Sequence, residues 1–322
     1  METSPDSGMP MLSVLCITYN QADYIGQALD SFLAQVTDFD FEIVVSDDCS
    51  TDATPDILES YRQRLGGKIR VLRSPVNLGV TRNFRRAMNA CRGKYIALCE
   101  GDDFWRGQFK LQLQVEFLEA NSDFVIVYHS ANLIGPEVKQ DTSQLPRRLQ
   151  CDASSAELIA TRPISTLTAC FRNVLGDLPN ELDQAPALDL CLWSLLGHHG
   201  KGKYLETIEP AAYRVHPGGV FSMHSERNRY VMTAQTLLCL SRVYSRLDRS
   251  KISDAVLLKA ALLACTRLGF VSGLKLVAMV FAWLFVRPLL PLWKWLSGRV
   301  HQPSPQPSPG RGPKAHPMER KK

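Results

Sequence analysis

Hydrophobic residues follow two alternating periods along the first 130 residues of the chain. Short continuous apolar runs, typical of strands that are buried on both faces, stand at residues 12–18, 41–46, 69–72, 94–99 and 124–128. Between these runs, apolar residues recur at the three- and four-residue spacing of amphipathic helices. Strands that alternate with helices predict an α/β fold with a mostly parallel central sheet and right-handed crossovers. Such sheets bind ligands at the carboxyl ends of their strands.

Capping and helix-breaking residues mark several boundaries. Thr54 and Pro55 predict an N-cap and the first turn of a helix, and two glycines at residues 66–67 predict its end. A later helix is predicted over residues 187–197. Residues 131–180 are less regular, so they predict loops and short strands.

The last part of the chain changes character. Residues 268–286 contain one charge in 19 residues, so they are nearly long enough to cross a hydrocarbon core of about 30 Å. Lys275 inside this stretch, two prolines beyond it and a Trp-rich, basic end favour a helix that lies in the membrane interface. A single span and a helix packed on the rest of the fold are the alternatives. Residues 1–10 and the Pro-rich residues 301–322 predict disorder.

Composition and charge narrow the class of protein. Hydrophobic residues make up 45% and charged residues 21% of the 322 residues, which is typical of a globular protein. The net charge of +5 is uneven, because the residues from 251 onward carry +10 and the residues before them carry −5. The basic excess lies beside apolar sequence. It therefore favours an anionic membrane surface, and no nucleic acid, as a partner.

Cysteine usage and the N-terminus bear on the cellular compartment. Nine cysteines lie far apart, and no two of them have the spacing of a CxxC pair or a zinc site. Their odd number predicts free thiols in a reducing cytoplasm. The first residues lack a basic region followed by an apolar run, so no signal peptide is predicted. Together with the basic C-terminal part, this predicts a cytoplasmic protein attached peripherally to the inner face of the cell membrane.

Polar residues follow the first two predicted strands. Thr18, Tyr19 and Asn20 offer a hydroxyl, a ring and an amide to a ligand at the sheet edge, although Asn before a helix is more often a turn residue. Asp47 and Asp48 come directly after the second strand, where a carboxylate would accept a hydrogen bond from N3–H of a uracil or thymine ring. An Asx-rich turn that caps the next helix is the alternative for this acidic stretch.

Three carboxylates follow the fourth predicted strand within four residues, at Glu100, Asp102 and Asp103. Like charges this close repel each other unless a divalent cation lies among them. Mg²⁺ and Mn²⁺ bind through one or two carboxylates plus substrate phosphates, which suits a nucleoside diphosphate. Gly101 permits a close approach of the backbone to a ligand. A solvated acidic loop is the alternative, but the position between a buried strand and two aromatic residues disfavours it.

Two later segments add candidate residues. Asp189 opens the helix predicted over residues 187–197, where an aspartate is also a common cap or partner of the helix macrodipole. A Tyr-Arg-Val-His-Pro-Gly-Gly loop follows at residues 213–219, and its His216 is either a functional or a turn residue. Taken alone, neither segment decides between a structural and a functional role.

In this order and spacing, the four motifs resemble the family 2 glycosyltransferases, which have the GT-A fold. The resemblance covers roughly residues 11–222, about two thirds of the chain. Its most specific part is residues 77–103, which are similar to that family's Asn-x-Gly…Arg-Asn…Gly-x-Tyr-Ile…Asp-Asp stretch. The resemblance implies a nucleotide-sugar-dependent transferase of the bacterial cell-surface polysaccharide type.

The resemblance also implies roles for individual residues. Nucleotide binding maps onto Thr18, Tyr19, Asn20, Asp48, Arg82 and Asp102. A Mg²⁺ or Mn²⁺ cofactor maps onto Asp103, Asp102 and Glu100, where Glu100 stands at the first acidic position of the family's motif. The general base maps onto Asp189, which has Leu188 beside it where many relatives carry a second carboxylate. A loop that closes on the diphosphate and the acceptor maps onto Tyr213, Arg214 and His216.

The implied reaction is an inverting transfer of a sugar from a UDP- or dTDP-linked donor. The implied acceptor is a hydroxyl of a saccharide or a lipid-linked glycan. By the same resemblance, residues 11–130 form the nucleotide-sugar-binding half of the domain and residues 131–235 the acceptor-binding half. Residues 236–300 are then the helical, membrane-associated segment.

Three other classes of protein compete with this interpretation. A dinucleotide-dependent oxidoreductase is disfavoured because no GxGxxG follows the first strand. A nucleotidyltransferase is disfavoured because a Gly-rich, Lys/Arg-bearing phosphate loop is missing near the N-terminus. A catalytically silent nucleotide-sugar-binding scaffold is the remaining alternative, but it would not need both the metal carboxylates and Asp189.

Overall fold

The computed structural model describes residues 9–136, 138–139, 142–219 and 224–267. The strands in this part of the chain are β1 (Leu12–Thr18), β2 (Phe41–Asp47), β3 (Ile69–Arg73), β4 (Tyr95–Leu98), β5 (Phe124–Tyr128), β6 (Ala131–Ile134), β7 (Cys170–Arg172), β8 (Lys201–Tyr204) and β9 (Ala211–Arg214). The α-helices are α1 (Ile25–Leu33), α2 (Thr54–Leu65), α3 (Val80–Ala90), α4 (Lys110–Ala120), α5 (Ser155–Ile159), α6 (Leu188–Leu196), α7 (Glu226–Arg246) and α8 (Ser250–Arg267).

Seven strands form one central sheet in the order β3-β2-β1-β4-β7-β5-β8. Neighbouring strands run parallel except at β7, which is antiparallel to both β4 and β5. Strands β6 and β9 pair in parallel as a separate two-stranded sheet. The predicted α/β fold with a mostly parallel sheet is confirmed.

The continuous apolar runs arise because the central strands are covered on both faces. In β1, Val14 and Cys16 belong to one buried cluster and Leu15 belongs to the cluster on the opposite face. All seven residues of β2 are buried. All nine cysteines are free thiols, as their spacing predicts.

The order of the strands explains why distant motifs meet. Strand β1 lies between β2 and β4, and all three run in the same direction. Their carboxyl ends therefore bring residues 18–20, 47–48 and 100–103 to one edge of the sheet.

Two local predictions differ from the structure. Thr54 is the first residue of α2 and Ala53 is the N-cap, because the Thr54 hydroxyl is engaged elsewhere. Its Oγ1 accepts a hydrogen bond from the backbone N–H of Gln21 at 2.9 Å, which ties the loop after β1 to the start of α2. The irregular residues 131–180 contain the short strands β6 and β7, as predicted, and also the short helix α5, which was not predicted.

Helices α7 and α8 pack on the rest of the fold. Leu237, Leu240 and Tyr244 of α7 and Val256 and Ala260 of α8 are buried in the same cluster as one face of the sheet. The boundary predicted at residue 236 therefore falls inside a packed helix.

No helix in the described part of the chain combines the length and the apolar character needed to cross a membrane. The apolar residues 268–286, on which the predicted membrane attachment depends, lie outside the described residues. Residues 1–8 and the tail at 301–322 also lie outside them.

Candidate functional site

A cavity of about 670 Å³ opens at the carboxyl edge of the sheet. Among the residues predicted to act on a ligand, those that line this cavity are Thr18, Tyr19, Asp48, Glu100, Asp102, Asp103, Asp189, Tyr213 and Arg214. The volume is within the range of small-molecule binding sites in proteins. The cavity thus joins three strand ends, the start of α6 and the end of β9.

Two side chains at the end of β1 line the cavity and differ in their exposure to solvent. The Thr18 hydroxyl is buried and has no hydrogen-bond partner within the described structure, whereas 46% of Tyr19 is exposed. Asn20 does not line the cavity, because its Oδ1 accepts the backbone N–H of Thr51 at 2.8 Å. Asn20 also has a positive φ of 51°, which is typical of a turn residue. The structure thus shows Asn20 supporting the loop that follows β2.

Asp48 lies directly after β2 and is 3% exposed. Its two carboxylate oxygens accept the backbone N–H groups of Leu78 at 2.8 Å and Gly79 at 2.9 Å. Gly79 has a φ of +83°, which a residue with a side chain rarely adopts, and it precedes α3. Asp48 therefore orders the loop before α3. Each of its oxygens has a second lone pair with which to accept a hydrogen bond from a ligand.

Residues 100–103 form an acidic loop after β4, and Gly101 packs tightly inside it. A Cβ atom on Gly101 would lie 2.6 Å from Oε1 of Gln21 and 3.0 Å from Oγ1 of Thr18. Both oxygens are buried without a hydrogen-bond partner in the described part of the chain. A glycine at position 101 is therefore required for the acidic loop to approach the end of β1.

The segment at the end of β9 holds the acidic loop in place. The backbone N–H of Arg214 donates to Oδ1 of Asp103 at 2.7 Å, and its guanidinium donates to the carbonyl oxygen of Asp102 at 2.8 Å. Nε2 of His216 lies 2.9 Å from Oδ2 of Asp102. The His216 ring also contacts Tyr24, with the ring centroids 4.7 Å apart. Two motifs more than 100 residues apart are thus joined by direct hydrogen bonds.

The acidic loop concentrates carboxylates in a poorly solvated place. Burial raises the pKa of Glu100 to about 7, and the negative charge of Asp102 adds to the effect. Burial also raises the pKa of Asp103 well above its usual range, and Asp102 and Glu100 raise it further. Desolvation and like charges both disfavour the ionised forms, so a bound cation would stabilise this loop.

The acidic loop fits a divalent cation that arrives with its substrate. Oε2 of Glu100 is buried and has no hydrogen-bond partner in the described part of the chain, so it is available as a ligand. Within the described residues, no three His, Cys, Asp or Glu side chains form a ready-made metal site. Mg²⁺ and Mn²⁺ commonly bind through one or two carboxylates and complete their coordination with phosphate oxygens and water.

Asp189 reaches the cavity from the first turn of α6, and its charge contributes to the raised pKa of Glu100. Desolvation raises the pKa of its carboxyl group from the usual value to about 6, although backbone N–H groups at the helix start oppose this shift. A carboxylate with a pKa near neutrality is suited to accept a proton from a substrate.

The start of α6 is fixed by two hydrogen bonds to other helices. The backbone N–H of Ala187 donates to Oγ1 of Thr236 on α7 at 2.9 Å. The hydroxyl of Thr81 on α3 donates to the carbonyl oxygen of Ala185 at 3.1 Å. Asp189 is therefore held between two helices that also frame the cavity.

Some residues of the site differ from the sequence prediction. Arg82 is exposed and pairs with Asp183 at 3.5 Å, and it does not line the cavity. The loop at residues 161–166 and Lys259 of α8 do line it, although no motif indicated them. Their contribution depends on packing between helices that are distant in sequence.

Comparison with solved structures shows that the fold is of GT-A type. Mannosyltransferase PcManGT from Pyrobaculum calidifontis, solved with GDP-Man and Mn²⁺, has a similar fold with a TM-score of 0.56. It is 18% identical, and the similarity covers 92% of this chain and 85% of that structure. Residues 13–172 match the sequence profile of glycosyl transferase family 2, and through these residues the chain belongs to that family.

Two relatives match over shorter lengths. A protein of Mycobacterium tuberculosis, itself uncharacterised, is 34% identical over 223 residues, which are 68% of this chain and 63% of the relative. The chain therefore spans less than two thirds of that protein. The poly(ribitol-phosphate) β-N-acetylglucosaminyltransferase TarS of Staphylococcus aureus is 34% identical over 189 residues, 55% of this chain and 31% of TarS. The solved TarS 1–349 with UDP-GlcNAc has a TM-score of 0.53 at 19% identity, covering 78% of this chain and 81% of that structure.

Proposed function

We propose that this chain is an inverting glycosyltransferase that moves a sugar from a UDP- or dTDP-sugar to a hydroxyl of a saccharide or lipid-linked glycan. The observation that supports this most directly is the shared cavity, in which Asp189 faces the acidic loop at residues 100–103. A glycosyl transfer needs a proton acceptor for the attacking hydroxyl and a neutralised leaving group. The residues that line this cavity include candidates for both tasks.

The donor's nucleoside binds at the ends of β1 and β2 in this proposal. Thr18 and Asp48 line the cavity there, and the exposed ring of Tyr19 is free to lie beside a base. Asp102 takes the ribose or the cation. Asn20 and Arg82 act indirectly, because the structure engages their side chains with Thr51 and Asp183.

Asp103, Asp102 and Glu100 are the residues that would hold Mg²⁺ or Mn²⁺. When bound, such an ion acts as a Lewis acid that neutralises the charge of the departing diphosphate. Arg214 and His216 keep this loop in shape through their bonds to Asp102 and Asp103. In this proposal they also close on the diphosphate and the acceptor, although only Arg214 of the two lines the cavity.

Asp189 is the proposed general base. Its carboxylate accepts the proton of the acceptor hydroxyl while that oxygen attacks the anomeric carbon from the face opposite the nucleotide. The bond from the anomeric carbon to the diphosphate oxygen breaks, and its electron pair leaves with the nucleoside diphosphate. The transition state has oxocarbenium character, and the single displacement inverts the anomeric configuration.

We also propose a cellular location for the protein. The basic, apolar stretch after residue 267 is the proposed attachment to the inner face of the cell membrane, as an interfacial helix or a single span. The name of one relative, a poly(ribitol-phosphate) β-N-acetylglucosaminyltransferase, supports a role in polysaccharide biosynthesis. In this view residues 131–235 contribute most of the acceptor side.

A catalytically silent nucleotide-sugar-binding scaffold is the competing function. The two are separated by measuring nucleotide release and product formation from a panel of UDP-, dTDP- and GDP-sugars with Mn²⁺, with and without EDTA. We expect turnover with a UDP- or dTDP-sugar and its loss in EDTA, and we expect NMR of the product to show the opposite anomeric configuration from the donor. Binding of the sugars without any turnover would favour the scaffold, and retained configuration would refute the single displacement.

A matched pair of variants tests the acidic loop in the same assay. Asp103→Ala should nearly abolish transfer, because the diphosphate would leave without its charge being neutralised. Asp56→Ala changes an exposed aspartate on α2 and should leave the rate unchanged. Activity of Asp103→Ala within a few-fold of the unmodified protein in excess Mg²⁺ would refute the metal assignment.

A further inference from the structure

Lys259 brings an isolated positive charge to the cavity from α8. Its ammonium group donates to the carbonyl oxygen of Ala160 and to Oγ1 of Thr161, both at 2.6 Å. These two neighbours on the chain supply its hydrogen-bond partners in the described residues, and neither is charged. Lys259 remains exposed as a residue, so a ligand in the cavity can reach it.

The partner of Lys259 has an unusual backbone. Thr161 is 3% exposed and has a φ of 61°, in the left-handed region that β-branched residues rarely occupy. This conformation completes a Schellman cap of α5, in which the backbone N–H of Thr161 donates to the carbonyl oxygen of Leu158 and that of Arg162 to the carbonyl oxygen of Glu157. Here it directs both the hydroxyl and the carbonyl of Thr161 towards the ammonium group.

One loop of the cavity wall links Lys259 to the acidic loop. In the loop at residues 161–166, Thr161 contacts Lys259, and Thr166 is close enough to Glu100 to lower its pKa through a hydrogen bond. Five residues of extended chain span at most roughly 18 Å. The ammonium group of Lys259 and the carboxylates suited to a cation and a diphosphate therefore line one cavity within a short distance of this loop.

We propose that Lys259 and the hydroxyl of Thr161 form an acceptor subsite that binds a phosphate group carried by the acceptor. This inference rests on the proposed glycosyltransferase function and names the acceptor class. A lysine ammonium group binds phosphate as a compact point charge, and the neighbouring hydroxyl of Thr161 can add a hydrogen bond to a phosphate oxygen. Thr161 would reorient its hydroxyl to share the ammonium group with the incoming phosphate.

A purely structural role for Lys259 is the competing explanation. Its ammonium group also satisfies carbonyl oxygens at the C-terminal end of α5, as lysines often do at helix ends. The two roles differ in what happens when the charge is removed and a donor group is kept. Lys259→Gln does this, because its amide can still donate to the carbonyl oxygen of Ala160.

The experiment titrates small phosphates into the full chain saturated with UDP and Mn²⁺, so that the proposed diphosphate site at the acidic loop is already filled. Octyl phosphate represents a lipid carrier and glycerol 1-phosphate represents a polyol phosphate, and octyl glucoside and glycerol are the neutral controls. We expect at least one phosphate to bind about 10-fold or more tightly than its neutral control, and Lys259→Gln to remove that difference. Lys251→Gln, an exposed change on the same helix, should retain it.

The titration distinguishes the possible sources of the phosphate group and tests whether the subsite exists. Preference for octyl phosphate identifies a lipid carrier, preference for glycerol phosphate a polyol phosphate, and equal binding of both a site for phosphate alone. No preference for phosphate in the unmodified protein, or an unchanged preference in Lys259→Gln, would overturn the subsite. Should Lys259→Gln fail to fold, Lys259→Met and the binding data of the unmodified protein decide the question. Failure of UDP to bind at all would instead count against the proposed function.

Discussion

At the scale of single residues, Asp189 combines a charge with a poorly solvated position. The desolvation that raises its pKa to about 6 also makes its ionised form costly to the fold. The same environment that would make Asp189 a useful base therefore lowers stability at neutral pH. Function and stability are opposed at this position, as is common at catalytic sites.

This opposition predicts a pH-dependent gain in stability for Asp189→Asn. The folded-state pKa lies above the unfolded value of about 3.9, so the folded protein binds the proton more tightly between these values. The stabilising effect of protonation is complete below pH 4 and is lost as the pH rises through 6. We therefore expect Asp189→Asn to raise the melting temperature at pH 7.5 relative to the unmodified protein and to lose this advantage at pH 4.

The measurement is differential scanning fluorimetry of both proteins across this pH range. Asp177→Asn, a change at an exposed loop position, should show no pH-dependent difference. A lower melting temperature of Asp189→Asn at pH 7.5, or an equal difference at both pH values, would mean that Asp189 is not the desolvated carboxylate described above.

Residues of the acidic loop could be predicted from sequence because local spacing carries the signal. Three carboxylates after an apolar strand repel each other wherever the chain folds, so Glu100, Asp102 and Asp103 indicated a cation without any tertiary information. The bonds from Arg214 and His216 to this loop were not predictable from their own segment. They depend on the antiparallel backbone bridge between Ala212 of β9 and Phe104, which brings residue 214 beside the loop.

At the scale of elements, the strands that are buried on both faces were the most predictable. The predicted boundaries of β1 and β5 agree with the structure, and those of β2 and β3 agree within one residue. The three-residue strand β7 gave no signal, because it is defined by antiparallel pairing with β4 and β5. Its residues form backbone hydrogen bonds with two strands that are distant in sequence. No local pattern of residues indicates such pairing.

Hydrogen bonds between helices hold the helices around the cavity in place. The bond made by Thr236 can be tested. Its buried hydroxyl accepts the backbone N–H of Ala187, the N-cap of α6. Thr236→Val keeps the shape of the side chain but leaves that N–H unsatisfied, which should lower the free energy of unfolding by about 1–3 kcal/mol. We also expect a lower transfer rate, because Asp189 follows two residues later.

Urea denaturation and the transfer assay measure the two effects. Thr266→Val is the matched control, since its hydroxyl bonds only back to its own helix on an exposed face in the described structure. A Thr236→Val protein as stable and active as this control would show that the bond between α6 and α7 does not position the base.

At the scale of the whole molecule, negative and positive charge are concentrated in different parts of the sequence. The residues before 251 carry −5 and contain the cavity's carboxylates, whereas the residues from 251 onward carry +10. The packing of α8 on the fold shows that the basic part begins within the folded unit. Lys259 is the described residue through which this basic part enters the cavity.

The proposed membrane attachment predicts a difference between the full chain and a chain ending after Arg267. The cut belongs there because α8 is packed in the core and its removal would expose buried residues. We expect the full chain to sediment with anionic vesicles and the shortened chain to stay in the supernatant. Each Lys or Arg near such a surface contributes roughly 1 kcal/mol to binding.

Washing distinguishes the two forms of attachment. High salt or carbonate should release an interfacial helix and should leave a spanning one in the membrane. Equal partitioning of both chains, with the full chain wholly in the supernatant, would contradict attachment through the residues after 267.

The turnover of Asp189→Asn tests most directly whether this chain is an enzyme in which Asp189 is the base. Asparagine keeps the size of the side chain and its ability to cap the helix, but it cannot take up the proton. We expect kcat with the best donor found in the panel to fall by about 10²–10⁴-fold, while the Kd for that donor stays within a few-fold. A rate close to that of the unmodified protein, or a loss of donor binding in step with the loss of rate, would mean that Asp189 is not the base.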